Sequence, residues 1–263
     1  PVTEGLIAHN NNVDSNDKAL VYDSFVTMVL KEVQEKTGLD PYNDGLTIET
    51  TIDSKAQQRL YDIVNTNDYI QYVNDKIQNA VVMLDTKTGA VRAVNGGRKQ
   101  TTLLGYNRAT DNSRSTGSTI KPVIDYGPAI EYLNYSTGQT IMDQRTTYSN
   151  GVELNNWDFS HKGAMTLRTA LVYSRNTTAL QTFKAVGETN IKSFLNNLDI
   201  QIKNDGQDYL VESNSIGADI SPIKMAAAYA TFGNYGNYSK PYTVTKVTTR
   251  DGQVTEFKPE QKQ

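Results

Sequence analysis

A serine and a lysine three residues apart, Ser118 and Lys121, are the residues of this 263-residue chain best suited to nucleophilic chemistry. Serine attacks a carbonyl only when a base takes its proton. The usual helpers are scarce, because Cys is absent and the two histidines are His9 and His161. The available base is therefore lysine. Residues i and i+3 share one face of a helix, so the hydroxyl and the amine can touch. An unperturbed lysine, with a pKa of about 10.4, holds a free amine in only about one molecule in 2,500 at pH 7. Bringing that pKa to about 7 disfavours the ammonium by roughly 4.6 kcal/mol, and burial and a positive helix end both push that way.

Ser-x-x-Lys occurs three times, at Ser15–Lys18, Ser118–Lys121 and Ser221–Lys224, and context separates the copies. Ser15 lies in a polar arm where no pocket can form. Ser221 precedes Pro222, the pattern of an N-cap with proline at the first helical position, and Lys224 reads as a solvated charge one turn in. Ser118 follows a Gly-containing loop and opens an apolar helix. That places its hydroxyl and N–H at the positive helix end, where a developing oxyanion is favoured. The plain alternative is one more N-cap with a surface lysine. Ser174-Arg175-Asn176 is the single Ser-x-Asn of the chain. Alone it reads as a capping or turn element. Paired with Ser-x-x-Lys, its hydroxyl and carboxamide can complete a proton path and hold a substrate amide.

The elements that must position these groups are partly readable. Residues 1–20 are polar and aperiodic and read as an arm. Apolar residues at 3–4 spacing predict a helix over 21–36, stopped by Gly38. Alternation predicts a strand over 46–52, followed by a helix opened by Asp53 or Ser54 and ending near Val64. Residues 79–95 predict a hairpin turning at Thr86–Gly89. Residues 98–117 read as loop. Helix is expected from Ser118, with a break at Gly127–Pro128. Residues 133–163 carry no clear pattern. Short helices are expected at 166–174, 177–186, 188–197 and 222–232, and a hairpin turns at Asp251–Gly252. Strands at both ends around a block of helices predict an α/β or α+β architecture.

Composition narrows the function. Lys and Arg number 26 against 29 Asp and Glu, and 26 − 29 gives −3, which argues against a nucleic-acid partner. The absence of Cys removes disulfides, Fe–S clusters and thiolate metal sites. With two histidines a multi-His metal centre has little to work with, and neither a metal nor a cofactor is expected. No apolar run approaches the roughly 18 residues of a membrane span, and no signal peptide opens the chain.

Several stretches together resemble the transpeptidase domain of class A penicillin-binding proteins: GSTIKP at 117–122, NW at 156–157, TLRTALVYSRNT at 166–177 and SPIKMAAAYATFGNYG at 221–236. TTIDSKAQQRL (50–60) and MLDTKTGAVRAVNGG (83–97) are in the same style, and PVTEGL resembles the end of the linker after a glycosyltransferase domain. The resemblance implies a penicillin-binding transpeptidase/serine β-lactamase-like fold, with 1–45 as linker and 46–263 as the N-terminal portion of the domain. It implies a serine-type D-Ala-D-Ala transpeptidase that cross-links peptidoglycan stem peptides and is acylated by β-lactam antibiotics. The full protein would be bifunctional, carry a glycosyltransferase domain and meet the membrane only through an N-terminal anchor outside this chain. It would work on the extracytoplasmic face of the bacterial cell membrane. In that scheme Ser118 is the acylated nucleophile and Lys121 its general base. Ser174 relays a proton toward the leaving amine, while Asn176 holds the substrate amide and orients Lys121. Arg175 takes the variable middle position, with no chemistry assigned. Trp157 borders the substrate groove or is a core tryptophan.

The family's third motif, Lys-Thr-Gly on a sheet strand after Ser-x-Asn, is missing. The tripeptide stands at 36–38 and 87–89, both before Ser118, and reads there as a helix end and a hairpin tip. The chain is therefore expected to be a fragment, with a second polypeptide or segment supplying that strand. A class A β-lactamase is disfavoured by the lack of a Glu-x-x-Leu-Asn run. A carboxypeptidase, a β-lactam sensor and a non-catalytic wall-binding module, its 16 tyrosines lining a glycan surface, stay open.

Overall fold

A computed structural model describes residues 13–111 and 113–263. They form two compact units: one from the chain up to Ser113 together with Ser221–Gln263, the other from Arg114–Ile220.

The first unit opens with helix α1 (Val13–Thr37), which buries Val21, Phe25, Val29 and Val33 along one stripe. The helix starts eight residues before the predicted onset. Of the expected arm, residues 13–20 belong to the helix and residues 1–12 lie outside the described residues. Once a helix is nucleated by a packed stripe, each further residue adds one backbone bond, so it runs on past the apolar pattern. Gly38 ends it at φ +71°, donating its N–H to Gln34 O at 2.9 Å. Strand β1 (Thr47–Thr50) follows, then α2 (Ser54–Asn65), capped by the Asp53 carboxylate on the Lys55 and Ala56 N–H groups. Asp53→Ala is expected to cost about 1 kcal/mol, read as a lowered unfolding midpoint. The α2 residue Gln57 is buried and bonds Val21 O, Val94 O and Val94 N, which ties three elements together. Strands β2 (Val81–Leu84) and β3 (Val91–Asn95) form the predicted antiparallel hairpin. At its tip Gly89 has φ +77°, and a Cβ there would stand 2.9 Å from two carbonyl oxygens. Lys87-Thr88-Gly89 is thus a tight turn.

The second unit begins with β4 (Arg114–Ser115) and a 3-10 turn over Gly117–Ile120. A π-helical turn over Pro122–Tyr126 runs directly into α3 (Gly127–Leu133). The break expected at Gly127–Pro128 does not occur. Pro128 falls in the first turn of α3, where no N–H is required, and Gly127 donates five residues back to Pro122 O. A Cβ on Gly127 would lie 2.6 Å from that oxygen and 2.8 Å from the Phe194 ring. The unassigned stretch resolves into two small antiparallel pairs. Strand β5 (Thr140–Asp143) pairs with β8 (Gly163–Thr166), and β6 (Thr146–Thr147) with β7 (Glu153–Leu154). Helices α4 (Leu167–Val172), α5 (Asn176–Val186) and α6 (Glu188–Asn197) follow, and β9 (Asp219–Ile220) returns to pair with β4.

Back in the first unit, α7 (Pro222–Gly233) starts after Ser221 as expected, yet Ser221 makes no side-chain cap. The reason is a carbonyl far away in the chain: the Ile223 N–H such a cap would engage is already taken by Ala109 O at 3.1 Å. Lys224 is exposed, as predicted. After β10 (Tyr238–Ser239), β11 (Val244–Thr248) sits between β1 and β12 (Val254–Glu256) in an antiparallel sheet, and β13 (Gln261–Lys262) pairs with β10. Phe25, Val29, Val33, Val91, Val94, Val244 and Val247 make this unit's core.

Candidate active site

All five residues singled out from the sequence lie in the second unit. The β4–β9 pair fixes the base of the turn that carries two of them, because Thr116 donates its N–H to Ala218 O (2.9 Å) and accepts from the Ala218 N–H (3.2 Å). The 3-10 turn then carries the chain from the surface inward: Ser118 and Thr119 are exposed, while Ile120 and Lys121 are fully buried. Lys121 donates from Nζ to Asn176 Oδ1 at 2.7 Å, to Ser174 O at 2.9 Å and to Ser174 Oγ at 3.2 Å. The three groups named from two separate motifs are thus brought together.

The Ser118–Lys121 hydrogen bond expected from i, i+3 spacing is not formed; the Ser118 hydroxyl has no partner among the described residues. The chemistry explains it. An ammonium has three donors and no acceptor, and all three are committed to the Ser174–Asn176 loop. A serine O–H can bond that nitrogen only through the lone pair of the free amine. Such bonds commonly tighten only when substrate is present.

Burial is the main force on Lys121 and pushes its pKa down to about 8; the nearby Asp125 carboxyl opposes this and the Arg175 guanidinium adds to it. At pH 7 about one lysine in ten is then free base, against one in thousands unperturbed. Asp125, one turn on, is fully buried with neither carboxyl oxygen hydrogen-bonded. Desolvation holds its pKa well above the carboxylate range, with Lys121 pulling the other way.

The loop bearing Ser174 and Asn176 is clamped from beneath. Arg175, buried, donates from Nε to Asp143 Oδ2 at 2.8 Å, from Nη1 to Asp158 Oδ2 at 2.9 Å and from Nη2 to Ser160 O. Buried Asp143 also accepts from Thr177 Oγ1 (2.6 Å), Asn156 Nδ2 (2.7 Å) and the Lys162 N–H (2.9 Å). Burial pushes its carboxyl up, and these donors together with Arg175 outweigh that and hold it below the usual range. The Arg175 fork and the Ser160 donors lower Asp158 further. Arg175 offers α5 no side-chain cap; buried Asn156 caps it from a distance, its Oδ1 accepting the Asn176 N–H (2.8 Å) and the Thr177 N–H (3.3 Å). Trp157 is 67% exposed, which overturns the core alternative, and its Nε1 donates to Tyr173 O at 3.0 Å.

Sequence reasoning missed Asp125, Asp143, Asn156, Asp158 and the role of Arg175. The Asn-Trp pair and the arginine inside Ser-x-Asn were visible signals for two of them; Asp143 offered none. Lys36-Thr37-Gly38 and Lys87-Thr88-Gly89 sit at a helix end and a hairpin turn, as the sequence reading has them. Among the described residues no cluster of His, Asp or Glu could hold a metal ion, and no helix is long and apolar enough to cross a membrane.

Residues 79–263 match the model of the penicillin binding protein transpeptidase domain. The chain belongs to the penicillin-binding protein transpeptidase family. Penicillin-binding protein 1A/1B of Bacillus subtilis is 41% identical over 246 residues, covering 92% of this chain and 26% of that protein. Penicillin-binding protein 1A of Streptococcus pneumoniae is 37% identical over 265 residues, 98% of this chain and 36% of the other. The chain therefore spans about a quarter to two-fifths of the curated relatives it matches. Among solved structures, penicillin-binding protein PonA1 of Mycobacterium tuberculosis superposes with a TM-score of 0.74 at 26% identity, covering 86% of this chain and 61% of that one. PonA1 in complex with penicillin V gives 0.72 at 25% identity, over 87% and 62%. The fold is the α+β fold of the penicillin-binding transpeptidases, as the resemblance implied.

Proposed function

We propose that this transpeptidase unit works through a Ser118 acyl-enzyme, with Lys121 as general base, on the D-Ala-D-Ala ends of peptidoglycan stem peptides. The observation that carries the reading is the buried Lys121 nitrogen, bonded to Ser174 and Asn176 one turn from an exposed serine. The free amine takes the Ser118 proton while Oγ bonds to the penultimate D-Ala carbonyl carbon. Collapse of the tetrahedral intermediate breaks the C–N bond to the terminal D-Ala, whose amine receives a proton through Ser174. An amine from a neighbouring stem peptide then attacks the ester and gives its proton back through the same groups, which forms the cross-link and frees Ser118. The Ser118 N–H, at the start of its turn, is one oxyanion donor. The second comes in this reading from a Lys-Thr-Gly strand in a segment outside this chain. Asn176 holds the substrate amide, and exposed Trp157 borders the groove. A β-lactam offers the same serine a strained carbonyl. The 1A-type relatives support placing the full-length protein as a glycosyltransferase/transpeptidase, anchored in the membrane and acting outside it.

Ser118→Ala in the full-length protein is expected to abolish covalent labelling by a fluorescent penicillin; labelling that persists sinks the assignment. The rate of labelling is expected to follow the free amine. Below pH 8 it falls roughly tenfold per pH unit and above it levels off. A rate that is flat from pH 6 to 9 contradicts Lys121 as base.

A further inference from the structure

The middle residue of Ser174-Arg175-Asn176 is the largest buried cation tied to the site, and the acylation scheme gives it no part. We propose that Arg175 is a positioning residue for that reaction, its guanidinium fork locking the loop that carries both partners of Lys121 onto the 143–160 segment. The proposal rests on the acylation reading above.

Three observations carry it. The fork uses Nε, Nη1 and Nη2 on three different acceptors, Asp143, Asp158 and Ser160 O, which only a planar guanidinium reaches at once. Ser174 sits at φ +49°, the left-handed region that a residue with a Cβ enters at about 1–2 kcal/mol and keeps only when its surroundings over-determine it. The backbone N–H groups of Ser174 and Arg175 reach back to Leu171 O and Ala170 O, so the turn is tight and the Arg175 side chain anchors it from inside. Last, both Lys121 contacts at Ser174 and the one at Asn176 flank Arg175 directly, so a shift of the anchor moves all of them.

The charge matters beyond geometry. Two carboxylates face Arg175, Asp143 and Asp158, while Lys121 and Asp125 lie on the turn above, with the Tyr126 hydroxyl bonded to Thr178 on α5. After burial and Asp125, the Arg175 cation is what acts on Lys121, and it disfavours the ammonium. Removing that charge raises the lysine's pKa and so moves the acid limb of the rate to higher pH.

The test measures acylation of the full-length protein by a fluorescent penicillin across pH, alongside thermal unfolding. Arg175→Lys keeps a charge but loses the fork; its rate is expected to fall about 10–100-fold with the acid limb unmoved. Arg175→Gln loses both, so the same fall is expected together with a limb displaced to higher pH. Asp158→Asn removes one arm at its more exposed end and is expected to slow labelling about 3–10-fold. Variants that acylate within threefold of wild type, whatever their melting temperature, overturn the proposal, as does an unmoved limb in Arg175→Gln. If Arg175→Gln fails to fold, Asp158→Asn decides: a wild-type rate overturns, a slowed one supports. A wild-type protein that takes no label at Ser118 fails the acylation reading itself, which is a different result.

Discussion

Lys121→Met is expected to slow acylation of the full-length protein by a fluorescent penicillin about 10²–10⁴-fold, the range general-base catalysis supplies. Methionine keeps the length and apolar stem of the side chain but offers no lone pair basic enough to take the serine proton. Lys121 is fully buried, and its nitrogen is the amine bonded to Ser174 and Asn176. The fold is expected to hold, because the substitution removes a buried cation that burial already disfavours. What it leaves is two acceptors, Ser174 O and Asn176 Oδ1, short of a donor, at about 1–3 kcal/mol. Lys224→Met is the matched control. It is the lysine of another Ser-x-x-Lys, exposed on α7, and its rate is expected to stay at wild type. A fall of less than tenfold for Lys121→Met would remove the base from the mechanism.

Asp143→Ala is expected to destabilise by about 3–5 kcal/mol, because it strands a buried guanidinium without its nearest counter-charge. Four hydrogen bonds end on this carboxylate, from Arg175, Thr177, Asn156 and the Lys162 N–H, and all four donors lose their partner at once. For a chain of this length that corresponds to a drop of roughly 6–20 °C in melting temperature, measured by thermal unfolding. The pH sign follows from the lowered carboxyl. Its contribution is complete above the unfolded value near 4 and is lost as acid protonates it in the native state. The variant is therefore expected to lose part of the wild type's acid sensitivity below pH 4. A change under 1 kcal/mol would mean that Arg175 finds compensation elsewhere.

The outline of the fold was legible where the signal is local. The α1 stripe, the Asp53 cap, the turn glycines at 38, 89 and 252 and the helices on either side of Arg175 all follow from periodicity and φ preference, which neighbouring residues decide. Two local readings failed, the second for a non-local reason. Pro128 could not break a helix whose preceding turn had widened to i−5, and Ser221 could not cap α7 because Ala109 O had taken the N–H first. Nor did the sequence show the start of α1, which lies at Val13 because helix propagates past its apolar stripe.

The amino-acid order by itself determined the candidate cast: a serine and a lysine at one helical spacing, a Ser-x-Asn, no thiol and too few imidazoles to serve instead. Only the tertiary structure decided what surrounds them. Asp143, Asn156 and Asp158 lie 17 to 32 residues before the Arg175 and Asn176 groups they hold, and no periodicity links such positions. The lysine's lowered pKa comes from burial and from charges brought near it by folding, quantities that a spacing of three along the chain cannot contain.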